Sequence, residues 1–358
     1  MRINSIGSLA LKLGLVAMLG CGVDDEQLIL DQRLAKLEFG IESQELNAAQ
    51  NFSGLDALTW SDPVWLGPVV NSTARDWRPL LSTDGLRLYF HSDRDGGFDI
   101  WMSRREGPNC PWQPPVKMGP PVSTSEYHEG DPEFTPDGRV MFFSRDGAPD
   151  SEGIGDLFLS RQTDPNDDLA WDEPVNLGPH VNTAEHESNP CYVAAESGGT
   201  LYFSRSAEGS PPTGDIYKVS MSRDGRTSGP AVFVTELNEP VPIGDHAPTV
   251  RADGRELIFW SGGAAGSRPG GVGLADLWVS TRQSVNDPWS APRNLGMPVN
   301  SPFAELSATL SHDGRMLFFT SARPGGLGLQ DMWMSTRGPS AGKEEVASSS
   351  TQCPPLTH

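Results

Sequence analysis

Cysteine, basic residues and long apolar runs are all scarce in this chain of 358 residues, and each scarcity removes a class of protein. Of the 4 cysteines, Cys110, Cys191 and Cys353 stand outside any Cys-x-x-Cys or Cys/His grouping, so a zinc site built on thiolates is not expected. Lys and Arg number 27 against 47 Asp and Glu, a net charge of -20. Nucleic acid is therefore not an expected partner, because phosphate binding needs a basic face. An acidic surface suits solubility, or affinity for cations and basic partners. The apolar core Leu13–Gly20 is too short to span a bilayer as a helix. There is no Gly-x-Ser-x-Gly nucleophile elbow and no phosphate-binding glycine loop.

What the chain has in quantity is Gly (39) and Pro (31), which fits many short strands and tight turns. It also has a repeat. Ser311-His-Asp-Gly-Arg-Met-Leu-Phe-Phe-Thr-Ser-Ala-Arg-Pro-Gly-Gly, followed by Asp331-Met-Trp-Met-Ser-Thr-Arg, is the last of five copies. The turns are Asp84-Gly85, Asp137-Gly138, Ser197-Gly198-Gly199, Asp253-Gly254 and Asp313-Gly314. Asp-Gly between apolar runs is a strong hairpin signal. Each turn leads into an apolar run such as Leu88-Tyr89-Phe90 or Leu317-Phe318-Phe319, a pattern of strands buried on both faces. A further strand starts at Asp99, Asp156, Asp215, Asp276 or Asp331, with an aromatic two residues on. Trp-x-x-Pro-x-x-Leu/Met-Gly, starting at Trp60, Trp112, Trp171 and Trp289, marks an outer strand, since a fixed Pro belongs on an edge.

Four strands per repeat make a propeller blade. The first outer strand, near Trp60, precedes the first inner strand, so it must complete the last blade. This predicts an all-β, five-bladed β-propeller over residues 59–338, with four-stranded antiparallel blades and an N-terminal strand closing the ring. Residues 339–358, rich in Ser, Thr and Pro, are expected to be a disordered tail.

Arg2 and Lys12 bracket the lead to Leu13–Gly20, and Met18-Leu19-Gly20-Cys21 follows. Small residues before a Cys directly after such a core resemble a bacterial lipoprotein signal. The expectation is a signal peptide over 1–20, lipidation at Cys21 and a tether over 21–58. That makes the membrane a partner through the anchor and places the protein in the cell envelope, at the outer membrane, on its periplasmic or surface face. With Cys21 lipidated, three cysteines remain, and at least one thiol is left unpaired.

The unit Ser/Thr-x-Asp-Gly-x-x-Leu-Phe-Phe-x-Ser-x-Arg-x-Gly-Gly, then Asp-Ile/Leu/Met-Trp-x-Ser, resembles the TolB-type, WD-like propeller repeat of bacterial envelope proteins, over five repeats. The resemblance implies a periplasmic scaffold or a carbohydrate-processing enzyme. TolB-like propellers usually have six blades, and five are counted here.

Three residues before the Pro of each inner strand (Ala308 in the last copy) stands a carboxylate: Asp76, Glu129, Glu187, Asp245 and Glu305. Ring closure would gather them at the channel mouth, with Arg94, Arg145, Arg205, Arg268 and Arg323 nearby. Two readings follow. Each carboxylate pairs with an Arg in the folding of its own blade, or some of them form a polar pocket with raised pKa values. His128, His186 and His246 stand beside carboxylates in three consecutive blades, as a divalent metal site would require, or as loop histidines that touch nothing. Trp77 is a mouth-loop aromatic in one blade only. Binding is thus assigned to Asp76, Trp77, Glu129, Glu187, Asp245 and Glu305. The primary expectation is a non-catalytic module that binds an envelope protein or glycan and needs no cofactor. The alternative is a glycoside hydrolase or lyase using Asp76, Glu129, Glu187 and Asp245, with a divalent metal as its one candidate cofactor.

Overall fold

Each apolar run that follows a turn becomes the second strand of a blade, and its side chains are lost to solvent on both faces. The computed structural model describes residues 59–207, 213–239, 243–263, 266–338 and Cys353. The expected signal peptide, the lipidation at Cys21, the tether and nearly all of the tail lie outside the described residues. The described residues contain no α-helix.

The first strand in the chain is β1 (Val64–Trp65). Blade 1 then holds β2 (Asp76–Leu81), β3 (Arg87–Ser92), β4 (Asp99–Arg104) and β5 (Val116–Lys117). Blade 2 holds β6 (His128–Phe134), β7 (Val140–Asp146), β8 (Gly155–Arg161) and β9 (Val175–Asn176). Blade 3 holds β10 (His186–Ala195), β11 (Gly198–Ser206), β12 (Gly214–Ser222) and β13 (Val232–Phe233). Blade 4 holds β14 (Gly244–Val250), β15 (Glu256–Gly262), β16 (Ala275–Thr281) and β17 (Arg293–Asn294). Blade 5 holds β18 (Glu305–Leu310), β19 (Met316–Ser321) and β20 (Asp331–Thr336), and is completed by β1, which pairs antiparallel with β20. The predicted N-to-C closure is therefore present. All pairing inside blades is antiparallel, and blades 2 and 3 touch at one parallel bridge, His186 to Gly155.

The core lies between blades, one cluster per interface. Tyr89, Ile100 and Met102 meet Met141, Phe143 and Phe158 between blades 1 and 2. Leu88 and Phe90 meet Phe318 and Met332 across the closure between blades 1 and 5. A second strand thus has neighbours on both faces, and its central residues Leu88, Phe90, Phe143, Phe203, Phe259 and Phe319 are fully buried.

The outer strands span only two residues each, because the Pro before them cannot donate to the ladder. An asparagine side chain extends them. Asn71 Oδ1 accepts the Met332 N–H at 2.7 Å and its Nδ2 donates to the Met332 carbonyl at 3.2 Å. Asn182 does the same to Leu157, Asn238 to Ile216 and Asn300 to Leu277. The amide imitates a peptide and satisfies both backbone groups of one third-strand residue. This accounts for a motif written three times in the sequence, Val70-Asn71-Ser72, Val181-Asn182-Thr183 and Val299-Asn300-Ser301. Leu237-Asn238 is a fourth copy that the sequence pattern hid.

Candidate functional site

The five carboxylates stand at the first or second residue of each innermost strand, and all are 0% exposed. Each closes the loop that leads into its strand by accepting a backbone N–H: Ser72 at 2.6 Å, Thr124 at 3.2 Å, Thr183 at 3.0 Å, Glu239 at 2.8 Å and Ser301 at 2.8 Å. Each also meets an arginine. Asp76 pairs with Arg94, Glu129 with Arg145 at 3.1 Å, Glu187 with Arg205 at 2.7 Å, Asp245 with Arg268 at 3.0 Å and Glu305 with Arg323 at 3.1 Å. The same guanidinium groups donate to the carbonyls of Val70, Val122, Val181, Leu237 and Val299. They also lie over second- and third-strand rings, as Arg205 does over Tyr217 at 4.3 Å. In blade 4 the displaced Arg268 fills the same place.

The grip differs from blade to blade. The contacts of Glu129 to Thr124 and Arg145 are 3.1–3.2 Å long, and burial pushes its carboxyl up to about 7. Burial also raises Asp245 and Glu305, against their arginines. In each blade the carboxylate thus ties the loop before its strand to an arginine of the same blade.

The three histidines do not converge. His128 accepts the Phe98 N–H through Nδ1 at 3.2 Å. His186 meets Asp146 at 3.2 Å, and that carboxylate raises its pKa against the effect of burial. His246 is buried in a stack on Trp260 with ring centroids 4.4 Å apart, and burial lowers its pKa to about 4. Among the described residues, no three His, Cys, Asp or Glu side chains gather closely enough to hold a metal ion. Trp77 donates to Gln330 Oε1 at 2.6 Å and stacks on Phe98, its centroid 5.4 Å away, with the Arg75 guanidinium over both rings. Trp77 is partly buried in this packing.

The residues that sequence reading passed over are those in which the repeats differ. Two positions after each carboxylate, the inner strand bulges into the left-handed region: Arg78 (φ 50°), Asp131 (φ 55°), Asn189 (φ 54°), Ala247 (φ 51°) and Ser307 (φ 42°). The bulge turns the N–H of this residue toward the preceding blade, where a side chain accepts it. His91 Nδ1 accepts from Asp131 at 2.9 Å, Ser204 Oγ from Ala247 at 2.9 Å and Thr320 Oγ1 from Arg78 at 3.2 Å. Two residues further on, Glu133 accepts the Tyr192 N–H at 3.2 Å, Cys191 that of Val250 at 3.2 Å and Thr249 that of Leu310 at 3.3 Å. Innermost strands of neighbouring blades are thus linked by side chains where no ladder joins them.

Three of these linking residues, Arg78, Asp131 and Glu133, carry charge that the repeat does not require. Arg78 is wholly buried and reaches from blade 1 to the Pro190 carbonyl of blade 3. Asp131 is held below the usual carboxylate range. Burial would raise it, but His91, Arg78, the Asn189 N–H and the Ser144 hydroxyl outweigh that effect. Glu133 has fewer partners, and burial pushes it up to about 7 despite Arg78 and the Tyr192 N–H.

Glu133 lines a cavity of about 600 Å³ at the far end of the inner strands from the carboxylate ring, on the face of the Asp-Gly turns. Tyr89, Phe134, Trp171 and Tyr192 supply aromatic walls, and Arg87 and Asp168 supply polar ones. Tyr89 packs against Phe134 with centroids 4.4 Å apart, Phe134 against Trp171 at 5.8 Å, and Tyr192 on Phe142 at 5.5 Å. Arg87 Nε donates to Asp168 at 2.7 Å, and Asp168 also pairs with Arg104 at 2.7 Å. The walls are therefore fixed before any ligand arrives. The signal that would have found this site is the unlike residues at inner-strand positions where the repeat otherwise places small or hydroxyl side chains.

No protein-family model matches the sequence, and no curated protein matches it. Among solved structures, the chain is similar to an α-L-arabinofuranosidase from Lactobacillus brevis, at 14% identity and TM-score 0.52, over 76% of this chain and 92% of that one. It is similar also to the native arabinanase of Bacillus subtilis, at 11% identity and TM-score 0.50, over 76% and 97%. TolB from Acinetobacter baumannii matches at 13% identity and TM-score 0.45, over 75% of this chain and 56% of that one. At these identities the likeness is one of fold, and it agrees with the strand count: the chain is an all-β, five-bladed propeller closed by its first strand.

Proposed function

We propose that this chain binds a carbohydrate in the axial pocket on the Asp-Gly-turn face, as a non-catalytic module. The observation that carries the reading is the pocket itself. Its size is that of a small-molecule site, and it combines aromatic walls with a few convergent polar groups. Sugars are held in this way, their C–H faces on aromatic rings and their hydroxyls on carboxylates such as Glu133 and Asp168. The envelope address and the Cys21 anchor belong to the same proposal. The bond between Cys110 and Cys353, with Cα atoms 5.7 Å apart, supports an oxidising compartment.

A second reading is a glycoside hydrolase, and one observation favours it. Asp131 and Glu133 lie on the same strand, with one pKa held down and the other raised to about 7. Carboxyls pushed apart in this way suit a base or nucleophile and an acid. The carboxylates named for hydrolysis from sequence, Asp76, Glu129, Glu187 and Asp245, lie at the other end of the inner strands and do not line this pocket. The solved structures with TM-scores of 0.50 or above include arabinan-directed enzymes, which sets the first probe.

The test is calorimetric titration with arabino-oligosaccharides, then neutral, uronic and amino oligosaccharides, with reducing ends counted in parallel. Binding without turnover, weakened about tenfold or more in Glu133→Gln, is expected. Turnover abolished in the same variant would establish the hydrolase. Absence of binding to every sugar would overturn both readings.

A further inference from the structure

Loops on the carboxylate-ring face show a feature that folding does not account for. Leu274 (67% exposed), Leu329 (77%), Leu327 (49%), Val272 (42%) and Phe303 (40%) all project there, from blades 4 and 5. Their backbones are held firmly. The Gly273 N–H bonds to Asp276 at 3.1 Å, and the Leu327 N–H to Asp331 at 3.0 Å. Each loop turns a glycine inward. A Cβ on Gly273 would stand 2.2 Å from the Phe303 carbonyl oxygen, and one on Gly328 would stand 2.2 Å from that of Ala74. With the glycines inward, their neighbours Val272, Leu274, Leu327 and Leu329 face outward by construction. The same loop in blade 1 tucks its Phe98 under Arg75 and against Trp77. Large apolar side chains clustered on a soluble surface mark a contact surface.

The described loops of blades 2 and 3 on that face are acidic, with Ile154 (44% exposed) as their large exposed apolar side chain. Glu126, Asp150, Glu152, Glu185 and Asp215 belong to its loops in blades 2 and 3. Residues 123–128, 147–154 and 183–185 include no lysine or arginine. Asp215 is pushed up by burial and by the neighbouring charges of Asp245 and Glu185, a mark of like charges crowded together. A partner must therefore offer apolar side chains to one sector and positive charge to the other. An anionic lipid surface is repelled by this face, and so is the same face of a second copy.

We propose that the carboxylate-ring face is a docking surface for a protein segment that presents leucine-like side chains beside lysine or arginine. It lies at the opposite end of the inner strands from the sugar pocket, so both can be occupied at once, and the inference does not depend on the carbohydrate reading.

The test uses the purified chain and two labelled synthetic amphipathic peptides with the same leucine positions, one carrying lysine and the other glutamate. Anisotropy is read at physiological salt. The lysine peptide binds and the glutamate peptide does not. In Leu274→Asp/Leu329→Asp, affinity falls about tenfold or more. That variant adds negative charge, so adhesion by charge alone would strengthen in it, and unchanged or tighter binding overturns the proposal. No binding of the lysine peptide overturns it too. So does concentration-dependent self-association by light scattering, or co-sedimentation with anionic vesicles, if the double variant abolishes either. Both substitutions are on exposed loops, and an unchanged melting temperature checks that the fold is intact.

Discussion

Replacing Glu187 by Gln separates a structural ring from a ligand site. The carboxylate is fully buried, accepts from Thr183 N at 3.0 Å and Thr183 Oγ1 at 2.6 Å, and pairs with Arg205 at 2.7 Å. An amide keeps the shape but leaves the Arg205 guanidinium without its counter-charge, where solvent reaches little of it. Breaking one side of a buried pair costs about 3–5 kcal/mol. At about 2.1 cal/mol/K per residue over roughly 280 residues, that lowers Tm by about 5–8 °C. Calorimetric or fluorescence melting reads this directly. Glu187→Leu/Arg205→Met, which removes both charges and keeps apolar volume, should recover most of the loss. Sugar affinity at the axial pocket should be unchanged in both variants. A Glu187→Gln protein that melts within about 1 °C of wild type but loses its ligand would refute the reasoning and return the ring to the status of a site.

Other outcomes follow from the same geometry. Glu133 has a folded pKa near 7, above its ordinary 4.5, so the folded state takes up its proton first and stability from this group falls as pH rises between those values. Glu133→Gln should therefore gain stability over wild type as pH goes from 5 to 8 in paired melting curves, and a gain that shrinks would contradict the assignment. His246 behaves in the opposite sense. Its pKa is lowered from 6.5 to about 4, so stability is lost as pH falls through that window, and His246→Phe should flatten the loss in acid melts. Asn71→Ala leaves the N–H of Met332 without a partner at the ring closure, while the Met332 carbonyl keeps the Leu66 N–H at 3.2 Å, at a cost of about 1–3 kcal/mol; Asn71→Asp, which keeps the acceptor only, should fall between Ala and wild type in denaturant titration. Cys110→Ser removes a link between residues 243 positions apart and should cost about 2–4 kcal/mol in non-reducing melts, a difference that disappears when both proteins are reduced.

The blades were legible because the sequence repeats what the fold repeats. Asp84-Gly85 and its counterparts set the turns, and the runs from Leu88-Tyr89-Phe90 to Leu317-Phe318-Phe319 become strands buried on both sides. The position of Trp60 ahead of the first inner strand was enough to call the closure, which the β1–β20 pair displays. The Glu/Asp–Arg pairing was one of two readings left open by the pattern; the pairs are present in all five blades, their carboxylates buried. Arg78, Asp131 and Glu133 were not legible. They sit where the repeat varies, and periodicity weighs what recurs. The left-handed bulge that aims their backbone was hidden as well, because Arg, Ala and Ser at three of its five positions carry no preference for positive φ. What holds it is an acceptor on the neighbouring blade, hundreds of residues away in the case of Thr320 and Arg78.

The closure by β1 also sets an order of events. Blades 1 to 4 are each built from consecutive residues and can form as soon as their own segment is available. Blade 5 joins Val64 to Met334 and Trp65 to Trp333, so its sheet cannot be completed until nearly the whole propeller sequence is present. Bringing such distant segments together carries the largest loop-closure entropy in the domain, and contacts of this separation slow folding. Before that event β1 and the facing edge of β20 lack their ladder partners. Both edges and the exposed side of the Leu88–Phe318 cluster disappear in one step. A chain interrupted before residue 331 lacks β20 and so leaves β1 without the strand it pairs with.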